Sequence, residues 1–336
     1  MKLSSSLFLF LILGCGMLPS IKSDAQNSTG EKITYLSRNI FGFENMFGEA
    51  RSTQPEQEIF GYLQFPDKFD PANKYPLIIA SHGSANWRGH HVKYLDQMRE
   101  TGFAVFSIHP FDSRNIDSTV GNQINLTAES VIWDMAMALK AVWNDSRIDN
   151  TKVFAAGWSL GGTAVLFNAW IPLQQEAFRA EESFSGYLMW YPACLALPDT
   201  DDWDKDFVQI YMGEADNWTP AKPCVDLAHR MNSMGGNANI EIYPGAYHSF
   251  DSTLPLTLQP DAYSWTKCDS FKLSPETKKV YDPNNKELDF SDPRLRRLAY
   301  ESCAVKGEVM AGSSPEYQNA PYKHLTNLLS EKINSN

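Results

Sequence analysis

Residues 155 to 165 read AAGWSLGGTAV, a serine set between glycines with apolar residues on both sides. Lys152 to Ala156 reads as a strand, and Gly162 to Trp170 reads as an apolar helix. Gly157-Trp158-Ser159-Leu160-Gly161 therefore occupies a strand-to-helix turn. A turn this tight tolerates no side chain two residues to either side of the serine, because each would strike the neighbouring element. It holds the serine in strained backbone, lifts the hydroxyl clear of a sheet and directs it at a helix N-terminus, where unpaired N–H groups favour developing negative charge. A surface loop or a nucleophile could explain such a serine, and the strand before it and the helix after it favour the nucleophile.

The remaining pattern agrees. Glu58 to Phe65 reads as a strand, and Tyr75 to Ser81 (YPLIIAS) as one buried on both faces. Gly89 to Glu100 is expected to be a helix closed by Gly102, and Phe103 to His109 a second buried strand stopped by Pro110. Asp112 to Thr127 is a polar loop, and Ala128 to Trp143 shows helical spacing through Val131, Met135, Leu139 and Val142. Phe184 to Tyr191, Phe207 to Met212 and Asn239 to Tyr243 read as strands, with a helix at Val225 to Met234 between the last two. Alternating strand and helix implies an α/β fold, a mostly parallel central sheet with helices on both faces. Residues 26 to 56 read as polar and irregular. Residues 251 to 336 are more polar and show no ordered succession of elements, so a single domain over 26–336 is expected, with 251–336 a C-terminal extension packed on it.

A hydroxyl is a weak nucleophile near neutral pH and needs a base, which in turn needs an orienting acid. Where a serine sits on such an elbow, acid and base follow it in that order along the chain. His248, just past the strand IEIYP, stands where the base must arrive. His229 falls within a helix and His324 far into the extension. Asp216 follows the strand VQIYM near the tip of the loop between Gly213 and Pro220, with Glu214 its competitor. The anion formed on attack requires two N–H donors. Leu160 supplies one, directly after the serine, and Ser84 in the loop His82-Gly83-Ser84 supplies the other. His82 is assigned to holding that loop. Trp158, Trp218 and Trp87 adjoin these residues in sequence and are candidates for an aromatic cleft or for core. Since His248 must be neutral to accept a proton, activity is expected to fall on the acidic side.

The start of the chain carries its own signal. Lys2 precedes the apolar run Leu7 to Leu13, too short to span a bilayer and suited to a secretory leader. Ser23-Asp24-Ala25 offers a cleavage site, so residues 1–25 are expected to be removed and the mature chain periplasmic or secreted, with no transmembrane span. Gly14-Cys15 offers a second route, a lipoprotein anchored at Cys15. Cys194, Cys224, Cys268 and Cys303 remain, an even number that suggests two disulfides with three possible pairings. Their spacing and that of the histidines suggests no metal site. The net charge of −11, without a Lys/Arg stripe, argues against nucleic acid as a partner. Asn27, Asn125 and Asn217 begin Asn-x-Ser/Thr sequons, which matter only in a glycosylating host.

Four stretches, IIASHGS, AAGWSLGG, MGEADNWTP and IYPGAYHSFD, together resemble the dienelactone hydrolase-like branch of the α/β-hydrolase superfamily. They span residues 78 to 251. The resemblance implies the α/β-hydrolase fold, a small-molecule ester substrate, no cofactor, and a catalytic triad falling on Ser159, Asp216 and His248. The family's namesake enzymes carry Cys where this chain has Ser159, which points to the serine-bearing relatives and general ester hydrolysis. The resemblance also places both Cys194 and Cys224 after strand ends near the site, implying a Cys194–Cys224 bridge that braces the Asp216 loop and a Cys268–Cys303 bridge in the extension. A prolyl-oligopeptidase-like peptidase shares the elbow and is an alternative reading, which the absence of a propeller-sized N-terminal region counts against. A noncatalytic cell-surface or binding protein retaining the fold has no need of an ordered Ser, Asp and His.

Overall fold

The structure is a computed structural model and describes residues 30–122, 124–268, 271–290 and 292–334. The expected leader, Cys15 and Asn27 lie outside these residues.

In chain order the first part contains β1 (Glu31–Arg38), α1 (Gly48–Ser52), β2 (Glu56–Gln64), β3 (Tyr75–Ser81), α2 (Gly89–Glu100), β4 (Ala104–Ile108) and α3 (Ala128–Val142). There follow β5 (Ile148–Trp158), α4 (Leu160–Asn168), α5 (Ile171–Ala177), β6 (Gly186–Trp190), β7 (Leu197–Pro198), β8 (Phe207–Gly213), α6 (Ala221–Ser233) and β9 (Asn237–Tyr243). Eight of these strands form one sheet in the order β1-β2-β4-β3-β5-β6-β8-β9. Pairing is parallel from β4 through β9, and β2 runs antiparallel to both its neighbours. This is the α/β-hydrolase sheet.

The route of the chain puts helices on both faces. The step β3 to β4 through α2 moves toward the β1 edge, whereas β4 to β5 through α3 and β5 to β6 through α4 move the other way. Right-handed crossovers in opposite directions place α2 across the sheet from α3 and α4. Residues 77–80 of β3 are fully buried, as is every residue of β4 and β6, which is why these segments read as continuous apolar runs rather than alternating ones.

Residues 26–56 are not irregular throughout. Within them β1 pairs along its whole length with β2, from Glu31 opposite Leu63 to Arg38 opposite Glu56. It is an edge strand, and its outward Lys32, Thr34 and Leu36 mask the alternation. The helix after the elbow begins at Leu160 and ends at Asn168, two residues earlier at each end than its apolar run implies, because the serine itself is the helix cap.

The extension contains β10 (Thr257–Gln259), β11 (Tyr263–Ser264), β12 (Lys272–Leu273), β13 (Val280–Tyr281), β14 (Glu287–Leu288), α7 (Pro293–Glu301), β15 (Val305–Lys306), β16 (Val309–Ala311) and α8 (Ala320–Asn334). Its strands are two or three residues long and find partners at a distance: β12 pairs in parallel with β7, and β10 with β16. Helix α8 docks on α2, where Gln97 donates to Tyr322 O at 2.5 Å and Tyr94 packs on Tyr322. One buried apolar cluster runs from Tyr35 to Leu329, and a smaller one joins Trp218 to Ala262, Trp265, Cys268, Ala304, Val309 and Ala311.

Candidate active site

Ser159 stands between the last residue of β5 and the first of α4, with φ 52° and ψ −114°. Backbone in this region costs on the order of 1–3 kcal/mol. The glycines around it are there by necessity. A Cβ on Gly157 would lie 2.2 Å from Gly161 O, and one on Gly161 would lie 2.2 Å from Ser81 O. The loop after β3 presses on the same turn, since a Cβ on Gly83 would lie 3.1 Å from Ser159 Cβ.

His248 arrives from the loop after β9. Its Nε2 lies 3.0 Å from Ser159 Oγ, and its Nδ1 lies 2.7 Å from Asp216 Oδ2. Asp216 leaves the end of β8, its N–H donating to Gly213 O at 3.2 Å. Its Oδ1 accepts from the N–H groups of Trp218 and Thr219, both at 2.9 Å. A carboxylate held this way is an acceptor on both oxygens, so the network assigns the imidazole proton to Nδ1 and leaves the Nε2 lone pair facing Ser159. The side chains of His248 and Asp216 are essentially closed to solvent. Glu214 points elsewhere: it is exposed, and its carboxylate accepts from Gly245 N–H at 3.0 Å. His229 is exposed on α6, and His324 meets Tyr211 Oη from α8.

Two residues that sequence reasoning missed hold this arrangement. Thr219 Oγ1 lies 3.1 Å from each of Asp216 Oδ2, His248 Nδ1 and Tyr191 O. Tyr191 follows β6 with φ 39° and lays its ring against His248 at 4.6 Å between centroids, while Trp218 covers the imidazole at 4.8 Å. The Tyr191 hydroxyl donates to Asp251 Oδ1 at 3.0 Å. Thr219 lies in the Gly213–Pro220 loop that was expected to carry the acid, and its N–H donates to Asp216 Oδ1; no local signal marks Tyr191. The extension also grips the histidine loop, since His248 pairs with Ala311 and its carbonyl accepts from Gly312 N–H at 2.8 Å.

Leu160 opens α4, so its N–H has no intrahelical acceptor. Ser84 is fastened through its carbonyl, which accepts from Thr119 N–H and Ser118 Oγ, both at 2.9 Å. Ser84, Ser159 and Leu160 share the wall of one cavity. His82 donates from Nδ1 to Gly83 O at 2.8 Å and packs on Phe111 and Trp87. Burial pushes its pKa down to about 3, which keeps it neutral.

That cavity measures about 120 Å³. The sheet side contributes Thr163, Phe167 and Trp218, and the N-terminal segment contributes Phe43. Much of the remaining wall comes from the extension, through Trp265, Phe271, Val280, Phe290, Arg296 and Tyr300. A second cavity of about 60 Å³ borders Ser159 and His248 from another direction, with Asn86, Arg88 and His90 in its wall. Of the three tryptophans, Trp218 lines both cavities. Trp158 borders the smaller one, with its ring stacked on Trp190 at 4.8 Å. Trp87 lines neither and is core, its Nε1 donating to Ile108 O at 3.1 Å. Cys194 is joined to Cys224 and Cys268 to Cys303, the first bridge spanning the Asp216 loop. Among the described residues no cluster of His, Cys, Asp and Glu could hold a metal ion, and no helix is long and apolar enough to cross a membrane.

Among solved structures, the chain is similar to esterase 2 of Thermogutta terrifontis. The form phosphoramylated by tabun is 18% identical with a TM-score of 0.46, covering 57% of this chain and 80% of that one. The butyrate-bound form is 16% identical with a TM-score of 0.46, over 57% and 81%. The model of the dienelactone hydrolase family matches residues 62–270, more than half of the sequence and every element that carries the Ser159, Asp216 and His248 loops. The chain belongs to the dienelactone hydrolase family.

Proposed function

We propose that this hydrolase cleaves carboxylic esters through a covalent acyl-enzyme on Ser159. His248 Nε2 takes the Ser159 proton as Oγ bonds to the carbonyl carbon. The N–H groups of Leu160 and Ser84 hold the oxyanion, each worth on the order of 3 kcal/mol of barrier. Asp216 keeps the Nδ1 proton in place and stabilises the imidazolium. The tetrahedral species collapses as its bond to the alcohol oxygen breaks, and His248 returns the proton to that oxygen. Water then attacks the acyl carbon, losing a proton to His248, and the acid leaves as Ser159 is reprotonated. The observation that carries this reading is the unbroken contact chain Asp216–His248–Ser159, at 2.7 and 3.0 Å, opening on an apolar cavity. A serine-reactive phosphonate followed by peptide mapping tests it. Labelling at Ser159, together with hydrolysis of aryl esters that a Ser159→Ala control lacks, is expected; unlabelled Ser159 in folded protein overturns it.

The protein is further read as exported after removal of residues 1–25, to the periplasm or beyond the cell. Two disulfides support that reading, since they persist in oxidising compartments. Residues 26–336 are taken as one unit with the extension packed on it, a reading supported by the apolar cluster continuous from Tyr35 to Leu329. N-terminal sequencing of the exported protein tests the cleavage site.

A further inference from the structure

An ion pair stands in the wall of the larger cavity, and the mechanism has no use for it. Arg296 of α7 and Glu129 of α3 are each 2% exposed. They meet through two contacts, Nη1 to Oε1 at 3.1 Å and Nη2 to Oε2 at 2.9 Å, and both residues line the cavity that holds Ser159. Nη1 also donates to Phe41 O at 2.8 Å, and the rings of Phe290 and Tyr300 lie about the guanidinium at 5.0 and 5.2 Å. Nε is buried without a close acceptor among the described residues, and the Tyr300 side chain is a further hydrogen-bonding neighbour of the guanidinium.

Such a pair is a poor source of stability, because desolvating both charges offsets their attraction and apolar residues of the same volume do as well or better. It also adds a charged pair to a cavity whose wall is mostly apolar, with Ser84, Ser159, Thr163 and Thr219 among its other polar members. Resting on the esterase reading above, we infer that Glu129 and Arg296 recognise the substrate half that fills this cavity: an apolar or aromatic group ending in a neutral hydroxyl, which donates to the Glu129 carboxylate and accepts from Arg296. The charge balance selects a neutral group. Glu129 already neutralises the guanidinium, so a substrate carboxylate would bring a second anion against Glu129 with little water to screen it. A methyl terminus would cover polar groups without replacing their hydrogen bonds, which is how a site rejects an analogue lacking a hydroxyl. Glu129 lies within the residues matched by the family model and Arg296 beyond them, so the extension supplies one half of this pair.

The test uses 4-nitrophenyl esters of phenylalkanoic acids with one to three methylenes, each bearing a para methyl, hydroxyl or carboxylate group, with 4-nitrophenyl acetate as reference. A reciprocal series of 2-arylethyl acetates with the same three groups shows whether the acid or the alcohol enters the cavity. At the matching length the hydroxyl ester is expected to exceed the methyl ester in kcat/KM by about 10- to 100-fold, with the carboxylate ester poorest. The double variant Arg296→Met with Glu129→Leu removes both charges without orphaning either, and the hydroxyl-to-methyl ratio should fall to about one. Because that ratio is taken within one protein, partial loss of folded material does not move it. Arg296→Lys keeps the charge but loses the planar fork, and should give an intermediate ratio. A methyl ester equal to or better than the hydroxyl ester at every length in both series overturns the proposal, as does a preference for carboxylate. If the acetate is cleaved and no terminus is discriminated, this inference falls and the esterase reading stands. If no ester is cleaved, both fall.

Discussion

The sheet and the extension contribute to one site in different ways. From β3 to the loop after β9, each chemically loaded residue follows a strand and sits within a few residues of a Gly or Pro: Ser84 after β3, Ser159 after β5, Asp216 after β8, His248 after β9. The extension has strands of two or three residues and two helices, yet it supplies most of the aromatic wall of the larger cavity and ties down the His248 loop through Ala311 and Gly312. The proposed reaction machinery is thus written in short local patterns, whereas the wall of the larger cavity is assembled from segments with no strong pattern of their own. Rate should follow the first region and selectivity the second, and variants in each can break that division.

The largest effect is expected at the elbow. Ser159→Ala should lower kcat by about 10⁵-fold or more, with an unchanged melting transition in differential scanning calorimetry. Asp216→Asn keeps the shape but loses the preferred tautomer, and should lower kcat by about 10⁴-fold. A loss at Asp216 confined to KM would contradict its assigned role.

Acid should separate the two regions by stability. His82 is buried with its pKa pushed to about 3, and burial also depresses His90 and His91, so all three titrate lower in the folded chain than in the unfolded one. Their contribution is fully present above the ordinary histidine value, near pH 6.5, and is lost as pH falls toward 3, because the unfolded chain binds the extra protons. For His82 alone the full loss is on the order of 5 kcal/mol. Urea titrations between pH 7 and 4 should show the midpoint falling with pH, and hydrogen exchange should show α2 losing protection. Exchange rising first in the extension would shift the weak point to the other region.

Breaking the Cys268–Cys303 bridge by replacing both residues with alanine should cost about 3 kcal/mol. It should also narrow the difference in kcat/KM between long and short esters, since Cys268 lines the larger cavity and the bridge fastens its wall. An unchanged ester profile would mean that the wall does not depend on its staple. The smallest effect is expected at Thr219→Val, a loss of about tenfold in kcat with little change in KM, because one hydrogen-bonding group beside Asp216 and His248 is removed while the pair stays in contact.

Much of this site was legible because it is local. The bounds expected for β3 and α2 agree with the structure to the residue, since YPLIIAS is buried on both faces and Gly102 closes the helix. The four loops that meet at Ser159 could be read because each sits at a strand end near Gly or Pro. Strand β1 escaped notice because an edge strand's outer face is polar. Arg296 could not be read at all. In Pro293-Arg-Leu-Arg-Arg-Leu a charged residue suggests solvent, yet Leu295 and Leu298 are 45% and 61% exposed while Arg296 is buried against Glu129.

Taken alone, the sequence determined the sheet-and-helix alternation, the strained serine turn and the order of serine, acid and base, because backbone sterics and hydrophobic periodicity act over a few residues. The tertiary structure carries the two cysteine pairings that the resemblance implied, and it alone decided where Thr219 and Tyr191 stand and what the extension encloses. Those outcomes depend on contacts between residues tens to hundreds of positions apart, such as β12 with β7 and Arg296 with Glu129, and such contacts leave no short-range trace.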